Sequence, residues 1–270
     1  MSDLTSNHRW LAVNALDPRA RLRLFCFPYS GAGTSIFRAW LHSFPPDIEV
    51  CPVRLPGREN RIDEPPFTQM ATLVQATAAA LWSYLDRPFA FFGHSMGALL
   101  SFELARFLRR QHRVQPAQLF VSGHSAPHLR DAEPPCYALP EEAFIAKLRE
   151  LHGTPDEVLN NSELRQLILP ILRADFQVCE TYAYEDAAPL DCPITALGGA
   201  QDTYVSHTAL EAWSAHTHAR FNAQLLPGDH FFLHAAHAPL IRTIIQDLIA
   251  TLGLSDLRRE YEPATLASAT

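Results

Sequence analysis

Six short apolar segments bounded by turn-forming residues constrain the fold of this 270-residue chain more than any other feature. They are rich in aliphatic and aromatic residues without strict alternation of apolar and polar positions, which is typical of strands covered on both faces. The segments are LRLFCFP (22–28), EVCPVRLPG (49–57), FAFFG (89–93), AQLFVSG (117–123), PITALGG (193–199) and FNAQLLPG (221–228). We therefore predict the strands of a mostly parallel sheet.

Between these segments the apolar residues recur with the period of a helix. The stretches MGALLSFELARFLRR and APLIRTIIQDLIATLG both show this spacing. Strands that alternate with helices form a parallel sheet with right-handed crossovers and helices on both faces. The predicted fold class is α/β, a doubly wound sheet, and the length suits one such body.

One long segment interrupts the alternation. Residues 125–190 contain no strand pattern, but LPEEAFIAKLRELHG and NSELRQLILPILRADFQVCETYAY have the apolar spacing of amphipathic helices. A loop of this length is uncommon in a compact domain, so we interpret the segment as an inserted helical lid. The predicted organisation is an N-terminal extension (1–20), a core (21–124 and 191–253), the lid (125–190) and a loosely ordered tail (254–270).

Charge and composition exclude several classes of function. The formal net charge of -7 argues against a nucleic-acid partner, and no window has the roughly 18 apolar residues that a membrane span needs. The start of the chain has no leader pattern, so we expect a cytoplasmic protein. Its five scattered cysteines form no C-x-x-C pair, which predicts reduced, structural thiols.

The sequence GHSMG follows the third apolar segment and precedes a helical pattern. In a G-x-S-x-G turn between strand and helix, the glycines at 93 and 97 permit a strained backbone and close packing, and the serine hydroxyl projects from the sheet edge. This context predicts that Ser95 is a nucleophile, with Gly93, His94 and Gly97 completing the nucleophile elbow. The alternative is that Ser95 only caps the following helix.

A serine nucleophile needs an imidazole base and a carboxylate that orients it, and in this arrangement they follow in the order serine, acid, histidine. Asp202 comes just after the fifth apolar segment and His230 just after the sixth. We predict these two as acid and base. The rival acids are Asp186, Asp191 and Asp229, and the rival histidines are His94, His124, His128, His216, His218, His234 and His237.

The oxyanion of an acyl-transfer reaction needs two backbone donors. The amide of Met96 is one candidate, and the loop FPYSGAG offers Tyr29 as the second, with Ser30 as the alternative. This loop lacks the G-K-[ST] of a phosphate-binding loop. His230, His234 and His237 have the spacing of one helix face, but Phe231 stands where a zinc hydrolase needs glutamate, so we expect no metal site.

Seven motifs occur together and in order over about residues 20–252: FPYSGAG, RLPGRENR, GHSMGALLSFELAR, SGHSAPH, LPILRADFQVCETY, ALGGAQD and PGDHFFL. In these motifs the chain resembles the stand-alone type II thioesterases that accompany polyketide and nonribosomal peptide synthetases. Those enzymes are relatives of the medium-chain thioesterase of fatty-acid synthesis and have the α/β-hydrolase fold. One departure is Asp229, which occupies a place where we would expect glycine and adds a charge beside the predicted base.

The resemblance implies a thioester hydrolase whose catalytic triad is Ser95, Asp202 and His230, whose oxyanion donors are Met96 and Tyr29, and whose residues 125–190 are the lid. It also implies the substrate, an acyl group on the phosphopantetheine arm of a carrier protein, and a role in removing aberrant or stalled chains. No cofactor is expected, and we expect a monomer. The apolar lid residues that are candidates to wall an acyl channel, or to form the lid's own core, are Phe144, Leu148, Leu151, Leu167, Ile168, Ile171, Leu172 and Phe176.

Carrier proteins usually present an acidic helix, so local arginines are candidates to bind it. Those considered are Arg58, Arg61 and the arginines of RFLRRQHR (106–113), although such a run is more often the solvated end of a helix. Two other functions remain open at this point. One is a general small-molecule carboxylesterase or acyl-CoA thioesterase on the same fold, and the other is a binding module without turnover.

Overall fold

The computed structural model describes residues 8–13, 16–129 and 134–253 of the chain. Its centre is a six-stranded sheet in which neighbouring strands are parallel, in the order β2-β1-β3-β4-β5-β6. The strands are β1 (Leu22–Phe27), β2 (Ile48–Pro52), β3 (Phe89–His94), β4 (Gln118–Ser122), β5 (Ile194–Gly199) and β6 (Phe221–Leu226). Each strand lies in one of the six apolar segments, allowing for a residue at the ends, so the predicted α/β architecture is confirmed.

Helices connect the strands. The α-helices are α1 (Met70–Leu81), α2 (Met96–His112), α3 (Glu141–Leu151), α4 (Asp156–Asn160), α5 (Ser162–Glu180), α6 (His207–Glu211), α7 (Phe232–Ala235) and α8 (His237–Leu252). Short 3₁₀ helices occupy His8–Trp10, Thr34–His42, Glu59–Arg61, Trp82–Tyr84 and Ala212–His216. None of the helices in the described ranges is long and apolar enough to cross a membrane.

Alternate residues of the central strands contribute to separate hydrophobic clusters. In β1, Phe25 and Phe27 pack into a cluster with α1 and α2, whereas Leu24 and Cys26 pack into a second cluster with α8. Both faces are therefore apolar, because side chains alternate along a strand and each face is covered by helices. This is the physical reason why the segments lack a strict alternation of apolar and polar residues, and it makes the sheet doubly wound.

The two edges of the sheet differ from each other. On the β2 edge, the segment before β1 adds a bridge between Leu11 and Val53, which buries that side. On the β6 edge, Asn222 and Leu225 are exposed, and only Leu226 of the strand is buried. The prediction that all six segments are covered on both faces is therefore wrong for β6, because it is a terminal strand that pairs only with β5.

The chain between β4 and β5 has helices α3, α4 and α5 and no strand in the portion that the structure describes, which leaves out 130–133. Seven buried side chains from this region form a cluster of their own: Cys136, Phe144, Ile145, Leu148, Leu159, Leu169 and Leu172. Helix α5 continues through Pro170, and α4 was not predicted. The division into core and lid stays a prediction, and the predicted tail, 254–270, lies outside the described residues.

Candidate active site

Ser95 occupies the sharp turn between β3 and α2. Its φ is +52° and its ψ is -117°, a conformation that residues with a side chain seldom adopt and that is often found at functional sites. The backbone is held there because the amide of Ser95 donates to the carbonyl of Ser122 at 2.7 Å. The side chain caps no amide of the first turn of α2, so the alternative of a capping serine is wrong.

The glycines of the elbow are required by close packing. A Cβ atom at Gly93 would lie 1.9 Å from the carbonyl oxygen of Gly97, and one at Gly97 would lie 2.2 Å from the carbonyl oxygen of Phe27. Both contacts are far inside van der Waals distance and involve backbone, which cannot rotate away. The two glycines therefore allow α2 to begin directly against β1 and β3.

His94 lies beside the elbow but its imidazole is committed elsewhere. It is fully buried, and its Nδ1 lies 2.8 Å from the hydroxyl of Ser122. Burial, together with the imidazoles of His230 and His234, holds the pKa of His94 well below its usual value. Its imidazole is therefore neutral near pH 7, and its ring packs 5.2 Å from that of His230.

Asp202 and His230 come together at the carboxyl edge of the sheet. The loop after β5 carries Asp202 and the loop after β6 carries His230, and Nδ1 of the imidazole lies 2.8 Å from Oδ2 of the carboxylate. The other carboxylate oxygen accepts the amides of Tyr204 at 2.8 Å and Val205 at 3.1 Å. The carboxylate thus holds one tautomer of the histidine, with the proton on Nδ1, and leaves Nε2 available.

The environment of Asp202 favours its ionised form. Burial by itself would raise the pKa of this carboxyl group, but the hydrogen bond from His230 and the two backbone amides outweigh it and lower the pKa from its usual value. The side chain of Asp202 has no solvent exposure, and that of His230 is 14% exposed. The pair is therefore a shielded carboxylate with a partly accessible imidazole.

The three rival acids make hydrogen bonds with groups other than His230. Asp229 is exposed and accepts the amide of Phe231, two residues away. Asp186 binds the hydroxyl of Tyr184, and Asp191 binds Gln115. None of these three is placed against His230 by a hydrogen bond among the described contacts.

The predicted oxyanion donors lie at the ends of two neighbouring strands. Met96 is the first residue of α2 and is fully buried, while Tyr29 and Ser30 belong to the loop after β1. The phenol of Tyr29 lies 3.2 Å from Nε2 of His234, and burial raises its pKa. All three residues line the cavity that Ser95 and His230 also line.

This cavity has a volume of about 240 Å³. Four of the eight predicted lid side chains face it, namely Leu148, Leu151, Leu172 and Phe176. The other four do not line it: Phe144, for example, is buried in the cluster of seven side chains between β4 and β5, and Leu167 is 58% exposed. The walls also include Tyr204, Val205 and Phe231, and several polar side chains stand beside the apolar ones, among them His124, Ser125, Thr154 and Glu180.

Two of the arginines suggested for carrier binding are buried. Arg58 is 4% exposed and pairs with Asp175, and Arg61 is 4% exposed, binds Glu64 and lies over the ring of Trp10. Their assignment to a docking surface is therefore wrong.

The run 106–113 at the end of α2 is only partly solvated. Its arginines at 106 and 109 donate to the backbone carbonyls of residues 185, 188 and 189.

The three histidines with helical spacing do not converge. His230 binds Asp202, whereas His234 lies against Tyr29. Within the described ranges, no group of three or more His, Cys, Asp or Glu side chains is arranged to hold a metal ion.

Sequence reasoning missed the side chains that support the loop after β1. Asp175, in the motif LPILRADFQVCETY, and Arg58, in RLPGRENR, pair with each other although 117 positions separate them. The available signal was a charged residue on the otherwise apolar face of an amphipathic helix, between Leu172 and Phe176. A carboxylate at such a position needs a partner when buried, but the sequence does not say which one.

The site can be compared with known proteins. The family model described as thioesterase domain matches residues 22–248. The gramicidin S biosynthesis protein GrsT of Aneurinibacillus migulanus is 45% identical over 253 residues, which is 94% of this chain and 99% of that protein. RedJ, a thioesterase from the prodiginine biosynthetic pathway in Streptomyces coelicolor, is 39% identical with a TM-score of 0.80, covering 87% of this chain and 95% of its own. The type II thioesterase BorB from the borrelidin biosynthetic cluster is 32% identical with a TM-score of 0.80, covering 88% of this chain and 96% of its own.

Proposed function

Because the chain belongs to the thioesterase family and is a thioester hydrolase of the α/β-hydrolase fold, we propose that it releases acyl groups from the phosphopantetheine arm of carrier proteins. In this role it removes aberrant or stalled chains from polyketide and nonribosomal peptide synthetases. The relatives that support this are named for such pathways, as GrsT is for gramicidin S and BorB for borrelidin. The comparisons extend along nearly the whole length of these proteins.

The observation that carries the proposal is the hydrogen bond between Asp202 and His230, because His230 and Ser95 line the same cavity. In the proposed mechanism, Ser95 Oγ attacks the thioester carbonyl while Nε2 of His230 takes its proton. Asp202 keeps the other imidazole proton on Nδ1 and stabilises the imidazolium. The amides of Met96 and Tyr29 would then donate to the oxyanion.

Collapse of the tetrahedral intermediate breaks the bond from carbon to sulfur, and the thiol of the carrier arm leaves with the proton from His230. The acyl group is then an ester of Ser95. A water molecule gives a proton to His230 and attacks this ester, and a second collapse releases the carboxylic acid and restores the serine. The chemistry needs no cofactor.

The cavity supports an editing role more than a role with one substrate. An apolar wall distinguishes chains that differ by one methylene by only about 10- to 200-fold, and the lining contributed by the lid segment (residues 125–190) is mostly apolar. A volume of about 240 Å³ lies just below the usual range for ligand pockets. We therefore expect several short acyl chains to be hydrolysed, with kcat/KM values that differ by no more than about 10- to 200-fold for each methylene.

We also propose that the enzyme works as a monomer in the cytoplasm. Cys26, Cys51, Cys136 and Cys192 are buried thiols outside any disulfide, as is usual in a reducing compartment. Size-exclusion chromatography with light scattering tests the first part, and fractionation of the producing cells tests the second.

The experiment that tests the function is hydrolysis of acetyl- and octanoyl-carrier protein, followed by mass spectrometry, beside the matching coenzyme A thioesters. Ser95→Ala is the control. Faster release from the carrier than from coenzyme A, lost in the Ser95 variant, is the expected result. Equal or faster turnover of coenzyme A thioesters or simple oxygen esters would instead assign the chain to small-molecule hydrolysis.

A further inference from the structure

A buried ion pair joins helix α5 to the loop after β2. The guanidinium of Arg58 donates from Nη2 to Oδ1 of Asp175 at 2.8 Å and from Nη1 to Oδ2 at 3.0 Å. Arg58 is 4% exposed and Asp175 is 3% exposed. This two-point geometry is the strongest that an arginine and a carboxylate can form.

The same pair also holds the loop after β1. Oδ2 of Asp175 accepts the amide of Gly31 at 2.7 Å, and Nη1 of Arg58 donates to the carbonyl of Ala32 at 2.9 Å. Asp175 and Arg58 therefore bind the amide and the carbonyl of two consecutive residues of the loop. These are the second and third residues after Tyr29, whose amide is the proposed oxyanion donor.

The loop also lies directly on α5. Gly31 has a φ of +77°, and a Cβ atom there would lie 2.4 Å from Cδ2 of Leu172. Leu172 stands three residues before Asp175, on the same face of the helix. At the other end of the loop, Glu59 accepts from the hydroxyl of Thr34 and the amide of Ser35.

Stability alone does not explain this arrangement. Removing two charges from water costs several kcal/mol per ion, and buried pairs can often be replaced by apolar residues with no loss of stability. What an apolar pair cannot do is bind a specific amide and a specific carbonyl. The distinctive capacity of Arg58 and Asp175 is thus to fix the position of a stretch of backbone.

We propose that Asp175, together with Arg58, is a positioning residue that sets the Tyr29 amide for the oxyanion. Helix α5 of the lid segment would then be part of the support of the oxyanion hole as well as a wall of the acyl cavity. This inference rests on the proposed function, because it assumes the triad and the role of the Tyr29 amide. It predicts that the chemical step, rather than substrate binding, depends on Asp175.

The test compares Asp175→Asn with the wild-type enzyme on acetyl-carrier protein, with kcat and KM determined separately. Asparagine has the same shape, but its NH2 group replaces one carboxylate oxygen and faces a guanidinium N–H, so it cannot accept from both Nη1 and Nη2 of Arg58 while binding the amide of Gly31. We expect kcat to fall about 10- to 100-fold and KM to change less than about 3-fold, because losing an oxyanion donor outright costs about 10²- to 10³-fold. The matched control is Glu49→Gln, which neutralises the largely buried partner of Arg23 near the amino ends of β1 and β2 and should keep kcat within about 2-fold.

A second variant separates positioning from folding. In the double variant Arg58→Met with Asp175→Leu, the buried charges are replaced by apolar groups. The melting temperature of this variant should be closer to the wild-type value than that of Asp175→Asn. We expect kcat to remain reduced in this variant although the fold is restored. Recovery of kcat together with the melting temperature, or an unchanged kcat in Asp175→Asn, would overturn the inference.

The proposed function fails in a different way. If the wild-type enzyme shows no hydrolysis that depends on Ser95, the triad assignment is wrong and the role of Asp175 is overturned with it. If wild-type hydrolysis depends on Ser95 while Asp175→Asn changes KM alone, only the inference about the loop is overturned.

Discussion

Asp202 and His230 are joined by a 2.8 Å hydrogen bond although they stand on different loops, 28 positions apart in the chain. The contact exists because β5 and β6 are neighbours whose carboxyl ends are in register, with Gly199 opposite Leu226. The loops that follow these two strands therefore begin side by side. The carboxylate that results is shielded from water and faces the imidazole on the side away from its free nitrogen.

This geometry predicts that Asp202→Asn lowers kcat by about 10³- to 10⁴-fold with little change in KM. The amide of asparagine can donate to Nδ1, which would hold the imidazole in the wrong tautomer and leave no stabilising charge for the imidazolium. Steady-state kinetics on acetyl-carrier protein measures the effect. Asp229→Asn is the matched control, and a loss in Asp202→Asn below about 10-fold would mean that this pair does not serve the reaction.

The cavity wall predicts a change of chain-length preference in Phe176→Ala. Phe176 lines the cavity and packs edge-on against Phe144, so its removal should leave space for a longer chain. We expect the ratio of kcat/KM for octanoyl- over acetyl-carrier protein to rise roughly 10-fold. Leu167→Ala on the exposed side of the same helix should leave the ratio unchanged, and an equal shift in both variants would contradict the assignment of the wall.

Alanine should lower the free energy of unfolding by different amounts at Gly97, in the turn around Ser95, and at Gly253, after the end of α8. Gly97→Ala should lower the free energy of unfolding by about 3 kcal/mol or more, or prevent folding, because the new Cβ meets the backbone of Phe27. Gly253→Ala, at a helix end with φ of +64° and open space around it, should cost about 1 kcal/mol. Urea titrations measure both, and equal costs would show that the helix does not begin as tightly against β1 as described.

The burial of His216 predicts that the free energy of unfolding depends on pH. Burial, with smaller contributions from His128 and Arg106 that outweigh the opposing charge of Asp186, lowers the pKa of His216 to about 4. The unfolded chain takes up a proton near pH 6.5 that the folded chain takes up only near pH 4. The free energy of unfolding should therefore fall as the pH drops through this window, by about 2 kcal/mol between pH 7.5 and 5 from this residue.

The measurement is urea unfolding of wild type and His216→Phe at several pH values. A phenyl ring suits the aromatic neighbours Phe102 and Trp213, and the variant should lose this part of the pH dependence. His218→Phe changes a histidine that is exposed in the folded chain and should keep the wild-type dependence. Parallel curves for wild type and His216→Phe would show that His216 takes up its proton equally in both states.

Features set by local sequence were predictable. The strands follow from apolar runs, and the elbow follows from the two glycines around Ser95. Asp202 and His230 could be proposed because each follows a strand directly. Features set by contacts between distant segments were not predictable, such as the exposure of β6, which depends on strand order.

The arginines illustrate the same limit. Arg58 and Arg61 look like surface residues in the sequence, because arginine is usually exposed. Their burial depends on Asp175, Glu64 and Trp10, and the first of these is 117 positions from Arg58. Counting arginines in the sequence therefore overestimates the area of basic surface that is accessible to a partner protein.

The location of the helical segment between β4 and β5 has an evolutionary consequence. Every pair of parallel strands needs a connection, and the entropy cost of a longer one grows slowly, by about 0.6 kcal/mol for each doubling of its length. Descendants of one ancestor can therefore lengthen, shorten or rebuild this connection without altering strand register. If α5 positions the loop after β1 as proposed, a rebuilt connection must keep the hydrogen bond from the amide of Gly31 to Asp175, whereas the other side chains that it contributes to the cavity can change.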